Sequence, residues 1–139
     1  MCHIFELMKD MQLEEFDNKE RMKALLKVLP FSLPESYVNF MNYYDGGEGP
    51  IGEYGYLAIF GVDEILAMNV GDDAYGRFKN IIYFASDRSG MHYAFDKQDG
   101  GICIIGIDED SFDYSEAYKV ADTFEEFIQY NYDIVDDDI

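Results

Sequence analysis

Apolar residues recur at helical spacing along the first third of the chain, at intervals of three, four and seven positions. This spacing places the apolar side chains on one face of a helix, as in helices that pack on a core. Three sets occur: Ile4, Phe5, Met8 and Met11; Met22, Leu25, Leu26 and Leu29; and Tyr37, Phe40, Met41 and Tyr44. We therefore expect three short amphipathic helices.

Start and stop signals delimit the second and third of these helices. Asp17 or Asn18 is an N-cap candidate for the second helix, and Pro30 stops it. Pro34 suits the first turn of the third helix. The glycine pair at 46–47 is predicted to end that helix, because glycine readily adopts the left-handed backbone of a helix C-terminus.

Short apolar runs replace the helical spacing after residue 55, and we predict each of them to be a strand. They are YLAIF at 56–60, IIYFA at 81–85, MHYAF at 91–95 and ICIIGI at 102–107. The second and third runs are separated by SDRSG at 86–90, a short glycine-containing loop that predicts a hairpin of antiparallel strands.

Two further segments complete the predicted elements. VDEILAMNV at 62–70 predicts a brief helix, and GDDAYGRFKN at 71–80 predicts a loop. Near the end of the chain, Thr123 and Glu126 have capping-box spacing, and Phe124, Phe127 and Ile128 form an apolar stripe. This pattern indicates a closing helix.

The order of elements predicts the α+β class. We expect one domain over residues 1–139, with N-terminal helices, a mostly antiparallel twisted sheet of about four to six strands, and a closing C-terminal helix. The acidic tail at 134–139 is expected to fray. A chain of 139 residues with 48% hydrophobic residues can bury a core of its own.

The chain is strongly acidic, with 29 Asp and Glu against 10 Lys and Arg and a net charge of −19. Such a field repels phosphates, which argues against direct nucleic-acid binding, and it attracts basic proteins. Solubility alone is the other explanation of the charge. The sequence shows no signal-peptide pattern and no membrane-length apolar run, so we expect a cytoplasmic protein without membrane contact.

Four of the ten basic residues are Lys19, Arg21, Lys23 and Lys27, which all fall on the predicted second helix. A basic amphipathic helix can lie on a membrane or meet a partner. The ordinary interpretation is a solvated helix face that pairs with acids elsewhere, and we favour it.

Residues that could perform chemistry are few and scattered. The two histidines, His3 and His92, have no C-x-x-C motif near them, which argues against zinc. The segment DEDSFDYSE at 108–116 begins like a calcium loop but has Phe112 at a ligand position. His92 follows Ser86, Asp87 and Ser89 closely, yet a catalytic triad is defined by geometry. We predict a non-enzymatic binding protein with no cofactor and no metal.

Three segments, in order, resemble the SUKH superfamily of Smi/Knr-like domains. They are LPESYVNFMNYYDGGEG at 33–49, YFASDRSGMHYAFD at 83–96 and ADTFEEFIQYN at 121–131. The resemblance covers roughly residues 18–133, although Arg88 and Ser89 stand in a hairpin loop that is often richer in glycine in such proteins. It implies an α+β domain without catalytic residues that neutralises a toxin, frequently a nuclease, encoded beside it.

Resemblance and charge together predict an acidic surface that binds a cognate, basic toxin protein. Candidate contact residues are acidic and aromatic side chains in loops beside the sheet: Glu48, Glu53, Tyr54, Asp72, Asp73, Tyr75 and Asp87. The alternative function is an intracellular scaffold or regulatory domain of the fungal cell-wall kind. The sequence assigns neither the toxin nor an oligomeric state.

Overall fold

A computed structural model describes residues 2–70, 80–111 and 113–135. The described residues form five α-helices, seven strands and one short 3₁₀ turn. In chain order they are α1 (Cys2–Leu7), β1 (Gln12–Glu15), α2 (Lys19–Val28), α3 (Glu35–Tyr43), β2 (Tyr44–Ile51), β3 (Gly55–Ile59), α4 (Val62–Asn69), β4 (Ile81–Ser86), β5 (Met91–Gln98), β6 (Gly101–Asp108), the 3₁₀ turn (Tyr114–Glu116), β7 (Tyr118–Ala121) and α5 (Phe124–Tyr132).

The seven strands form one sheet in which spatial order equals chain order, from β1 to β7. Every neighbouring pair is antiparallel. With helices at both ends of the chain, this architecture confirms the α+β prediction. The expected four to six strands were too few, because β1 and β7 are short, largely exposed edge strands without an apolar run.

The glycine pair at 46–47 does not end α3, which is a correction to the sequence prediction. Helix α3 stops at Tyr43, and Tyr44 already has extended backbone as the first residue of β2. Gly46 has a φ of +74°, and a Cβ on it would lie 2.3 Å from the Ile59 carbonyl oxygen. The glycines therefore let neighbouring strands approach β2 closely, and their role lies in the sheet.

The main core lies between one face of the sheet and helices α1, α2, α3 and α5, and it also includes Val62 and Ile65 of α4. At its centre Tyr37 meets the rings of Phe84, Phe95 and Phe124 edge-on, with centroids 4.9–5.5 Å apart. Alternation along the strands directs the neighbouring side chains to the opposite face. A smaller apolar cluster around Tyr83 and Ile105 lies there.

Helix α4 confirms the predicted brief helix. It lies beside β4, where β3 no longer pairs with that strand. Strand β3 leaves β4 after Phe60, whose N–H donates to the Phe84 carbonyl. The Asn69 side chain then takes the place of a strand: its Nδ2 donates to the Tyr83 carbonyl at 2.8 Å, and its Oδ1 accepts from the Tyr83 N–H at 2.8 Å. The predicted loop at 71–80 lies outside the described residues except for Asn80.

Helix α5 closes the fold as predicted and contacts α1, α3, β3 and β7. Thr123 is its N-cap, and its hydroxyl accepts from the Glu126 N–H at 3.1 Å. The Glu126 carboxylate accepts from the N–H of Asp122 at 3.4 Å, one residue earlier than in a standard capping box. Of the predicted frayed tail, Val135 is exposed, and residues 136–139 lie outside the described part of the chain.

The first two helices also match their predictions in position. Helix α1 is shorter than its apolar spacing suggested, because it ends at Leu7 and Met11 lies beyond it, buried next to β1. Helix α2 begins after Asn18, one of the two predicted N-caps, and ends just before Leu29 and Pro30.

Candidate partner-binding surface

Four side chains from two strands, a helix and a hairpin loop meet on the sheet face opposite the main core. We call Glu48, Tyr56, Glu64 and Arg88 the Arg88 cluster. The Arg88 guanidinium lies 3.3 Å from a Glu48 carboxylate oxygen and 3.8 Å from one of Glu64. All three charged side chains are about half exposed, at 43–51%. The cluster is therefore available to a partner.

Strand register places Glu48 beside Tyr56. Glu48 pairs with Ala58 across β2 and β3, and the Tyr56 hydroxyl donates to Glu48 at 2.8 Å. This hydrogen bond lowers the pKa of Glu48, and Arg88 acts in the same direction. The same bond raises the pKa of Tyr56. Glu48 is thus held as a carboxylate in a fixed position.

The hairpin between β4 and β5 presents Arg88. Arg88 has a φ of +57°, the left-handed region that glycine adopts more easily, and its N–H donates to Ser86 Oγ at 2.9 Å. The Asp87 carboxylate accepts from the N–H groups of Ser89 and Met91 at 2.8 and 3.0 Å. Asp87, a predicted contact residue, therefore shapes the loop that carries Arg88.

An acidic groove adjoins the Arg88 cluster, with a volume of about 330 Å³. Its lining includes four carboxylates and one guanidinium: Glu14, Asp45, Glu48, Glu64 and Arg88. Glu14 comes from the edge strand β1, so the groove reaches the rim of the sheet. Its charge is complementary to lysine and arginine side chains.

Asp45 connects the groove to the helices beneath it. One carboxylate oxygen accepts from Asn18 Nδ2 at 3.3 Å and from the Val62 N–H at the start of α4 at 2.9 Å. The other oxygen lies 2.9 Å from Arg21 on α2, and Arg21 also lies 3.0 Å from Asp63. Asp45 therefore fixes the relative positions of α2, β2 and α4.

The basic side chains of α2 form a solvent-exposed face that pairs with nearby acids, as the sequence analysis favoured over a membrane-binding helix. Arg21 pairs with Asp45 and Asp63, and Lys23 lies 3.8 Å from Glu20. Lys19 lies over the ring of Tyr43 at 5.0 Å.

The other predicted contact residues do not join the Arg88 cluster. Glu53 and Tyr54 lie in the turn between β2 and β3, and neither is among the described residues that line the groove beside the cluster. Both are exposed, and they line another surface depression together with Tyr132. Asp72, Asp73 and Tyr75 lie outside the described residues and stay predictions.

Sequence reasoning named Glu48 and Asp87 but missed Asp45, Tyr56, Glu64 and Arg88 as site residues. Two signals could have found part of this set. Asp45 immediately precedes the glycine pair, where a short acidic side chain can reach neighbouring backbone. Arg88 lies in a hairpin loop that is often richer in glycine in the proteins that this chain resembles.

His92 is packed between two aromatic rings and lies opposite Ser86 in the pairing of β4 with β5. Its ring lies 5.8 Å from that of Phe60 and 6.1 Å from that of Tyr83, and its Nδ1 lies 3.3 Å from Glu109. Burial lowers the pKa of His92, against the opposing effect of Glu109. Ser86 Oγ is engaged by the N–H of Arg88.

Within residues 2–70, 80–111 and 113–135, no three side chains of His, Cys, Asp or Glu stand close enough together to hold a metal ion. None of the helices there has the length and apolar character needed to cross a membrane.

Comparison with known proteins identifies the family. No curated protein matches the chain. The family model described as SMI1 / KNR4 family (SUKH-1) matches residues 18–130, which includes α2, every strand except β1, and most of α5. The match covers most of the chain, and the chain therefore belongs to the SMI1 / KNR4 family (SUKH-1).

Proposed function

We propose that this protein is a non-enzymatic immunity protein that binds a cognate toxin domain and neutralises it in the cytoplasm. The toxin domain would be basic, as a nuclease is where it grips phosphates. Membership of the SUKH family supports a protein-binding role. The observation that carries the proposal is the acidic groove beside the half-exposed Arg88 cluster.

The proposed contact is electrostatic. Lysine and arginine side chains of the toxin would enter the groove and compete with Arg88 for Glu48 and Glu64. Because the net charge is −19, the field of the whole molecule would also speed the encounter. Steered association can reach on the order of 10⁸–10⁹ M⁻¹s⁻¹ and slows as salt rises.

The first experiment is co-purification of this chain with the C-terminal domain of the protein encoded immediately upstream, combined with a growth test. We expect that domain to be toxic alone and harmless when the two are co-expressed as a stable complex. If no complex forms and the domain is harmless, the scaffold or regulatory function becomes the better proposal.

The second experiment tests the surface with matched charge changes. The double variant Glu48→Gln with Glu64→Gln removes two charges from the Arg88 cluster. The control, Glu6→Gln with Glu35→Gln, removes two exposed charges from α1 and α3, which cover the main core. We expect association with the toxin domain to slow roughly 3–10-fold for the first pair and less than about 2-fold for the control. Equal slowing would show that only net charge matters.

A further inference from the structure

A second concave site lies far from the Arg88 cluster, between the β5–β6 hairpin, β7 and the 3₁₀ turn. Its volume is about 450 Å³, within the range of about 300–1,000 Å³ typical of small-molecule sites. We call it the Asp96 pocket. Its lining includes Asp96, Ile102, Cys103, Ile105, Tyr114 and Lys119. None of these residues belongs to the proposed toxin-binding surface.

Asp96 is a carboxylate at the wall of this pocket, and its residue is only 1% exposed. Three neutral donors hold it: Asn80 Nδ2 at 2.8 Å, Gln98 Nε2 at 3.0 Å and the Tyr114 hydroxyl at 2.8 Å. A carboxylate offers about four acceptor positions, and donors of the described residues fill three of them.

The described residues supply no cation to Asp96. Lys119 is the one cationic side chain among the described residues that line the pocket, and it forms an ion pair with Asp122. A buried charge is ordinarily paired with an opposite charge. A buried carboxylate at the wall of a cavity is complementary in charge to a positively charged ligand.

The other lining residues indicate which kind of group fits beside the carboxylate. Ile102 and Ile105 are aliphatic, and Tyr114 adds an aromatic ring beside the carboxylate. Burial raises the pKa of the Cys103 thiol, the charge of Asp96 acts in the same direction, and the charge of Lys119 acts against it. Apolar walls with one deep carboxylate suit an alkyl chain that ends in a cation.

We propose that the Asp96 pocket binds an alkylammonium group, with the ammonium on Asp96 and the alkyl chain against Ile102 and Ile105. The group can come from a free small amine or from the end of a lysine side chain. This proposal does not depend on the proposed function, because it concerns another site and is tested without a toxin.

The first test is an amide NMR titration of the full chain with n-butylammonium, and with butyrate as the anionic probe of similar shape. We expect n-butylammonium to shift the amides of Cys103 and Ile105 with a dissociation constant on the order of millimolar, since the probe has few heavy atoms. Butyrate should leave them unchanged. Equal shifts with both probes, or none with either, would overturn the proposal.

A lysine blocked at its amino and carboxyl groups separates the two sources. If it shifts the same amides, the pocket admits a side chain of a protein. If only n-butylammonium does so, the pocket takes free amines. Asp96→Asn should weaken n-butylammonium binding at least about 5-fold, whereas the charge-matched Asp10→Asn, at an exposed turn, should leave it unchanged.

Thiol chemistry gives an independent measurement that needs no change at Asp96. In a Cys2→Ser chain, Cys103 is the remaining thiol. We expect the ratio of its modification rates by aminoethyl and sulfonatoethyl methanethiosulfonate to exceed that of a small free thiol by about 10-fold or more. A ratio equal to the free thiol's would contradict a cation-selective pocket, even if Asp96→Asn fails to fold.

Discussion

Gly46 shows how one missing side chain permits the close packing of three backbone segments. Its backbone is left-handed, and the position of an added Cβ lies 2.3 Å from the Ile59 oxygen and 2.8 Å from the Gly61 nitrogen. These neighbours are backbone atoms of β3 and of the segment that leads into α4, so they cannot rotate away. Any side chain at this position must displace the strand.

We therefore expect Gly46→Ala to lower the free energy of unfolding by more than about 2 kcal/mol, from backbone strain and displaced strands together. Gly100→Ala is the matched control, because nothing lies within 4 Å of its added Cβ. It should change stability by less than about 0.5 kcal/mol. Urea unfolding of both variants measures the difference, and equal effects would refute the packing argument.

His92 makes the stability of the fold depend on pH. Burial lowers its pKa in the folded protein below the unfolded value of about 6.5, so the unfolded chain binds the proton more readily. The stability that neutral His92 provides is complete above about pH 6.5. It is lost as the pH falls from there toward the lower folded pKa.

We expect the free energy of unfolding to fall between about pH 7 and about pH 5, and to fall less in His92→Phe, whose ring suits the neighbouring Phe60 and Tyr83. Glu109→Gln should steepen the loss, because Glu109 raises the pKa of His92. The pKa of Glu48 is lowered, so Glu48 gains its proton at a lower pH and does not change the stability between about pH 7 and about pH 5. Identical pH slopes in all three proteins would rule out His92 as the source.

At the scale of elements, the junction between β3, α4 and β4 depends on a single side chain. Asn69 satisfies both the N–H and the carbonyl of Tyr83 where β3 has left the sheet. A helix thus stands beside a strand without leaving these two backbone groups unpaired, which would cost about 1–3 kcal/mol each.

We expect Asn69→Ala to destabilise the protein by about 2–4 kcal/mol, because the Tyr83 backbone loses both hydrogen bonds. Asn39→Ala, on the exposed side of α3, should change stability by less than about 0.5 kcal/mol. Thermal and urea unfolding provide the comparison. A loss below 1 kcal/mol in Asn69→Ala, on the scale of a surface substitution, would show that another group replaces its side chain.

Predictability from sequence differed between elements for physical reasons. Strands β3 to β6 were found because their buried side chains form continuous apolar runs. Strand β2 was missed because YDGGEGPI has low intrinsic strand propensity, and only its pairing with β1 and β3 makes it a strand. The helices were located correctly, since their apolar spacing is local information, but the predicted ends of α1 and α3 were wrong.

The candidate surface was harder to predict than the fold. Glu48 and Arg88 are 40 positions apart and meet only because of strand register and a left-handed loop residue. Composition indicated an acidic surface, which is a property of the whole chain. It could not indicate which acids converge, because convergence depends on long-range pairing.

The charge of the whole molecule is far from neutral. With 29 acidic and 10 basic residues, most carboxylates cannot have a basic partner, even though Arg21, Lys23, Arg88 and Lys119 all form ion pairs. Repulsion between the remaining acids opposes the compact state. The apolar core must outweigh this repulsion.

We therefore expect the melting temperature to rise when sodium chloride is increased from about 10 mM to about 300 mM, because screening weakens repulsion over distances above several ångströms. Choline chloride at equal ionic strength should have the same effect, which controls for specific binding of sodium. A falling melting temperature would mean that attractive ion pairs dominate the electrostatic energy.

The order of the strands has a consequence for synthesis on the ribosome. Because each strand pairs with its predecessor, the sheet can grow one strand at a time as the chain emerges. Helix α5 is the exception, since Phe124, Phe127 and Ile128 complete a core begun by α1 and α3. Until α5 leaves the exit tunnel, the nascent chain exposes an apolar sheet face, the state in which chaperone binding and aggregation compete.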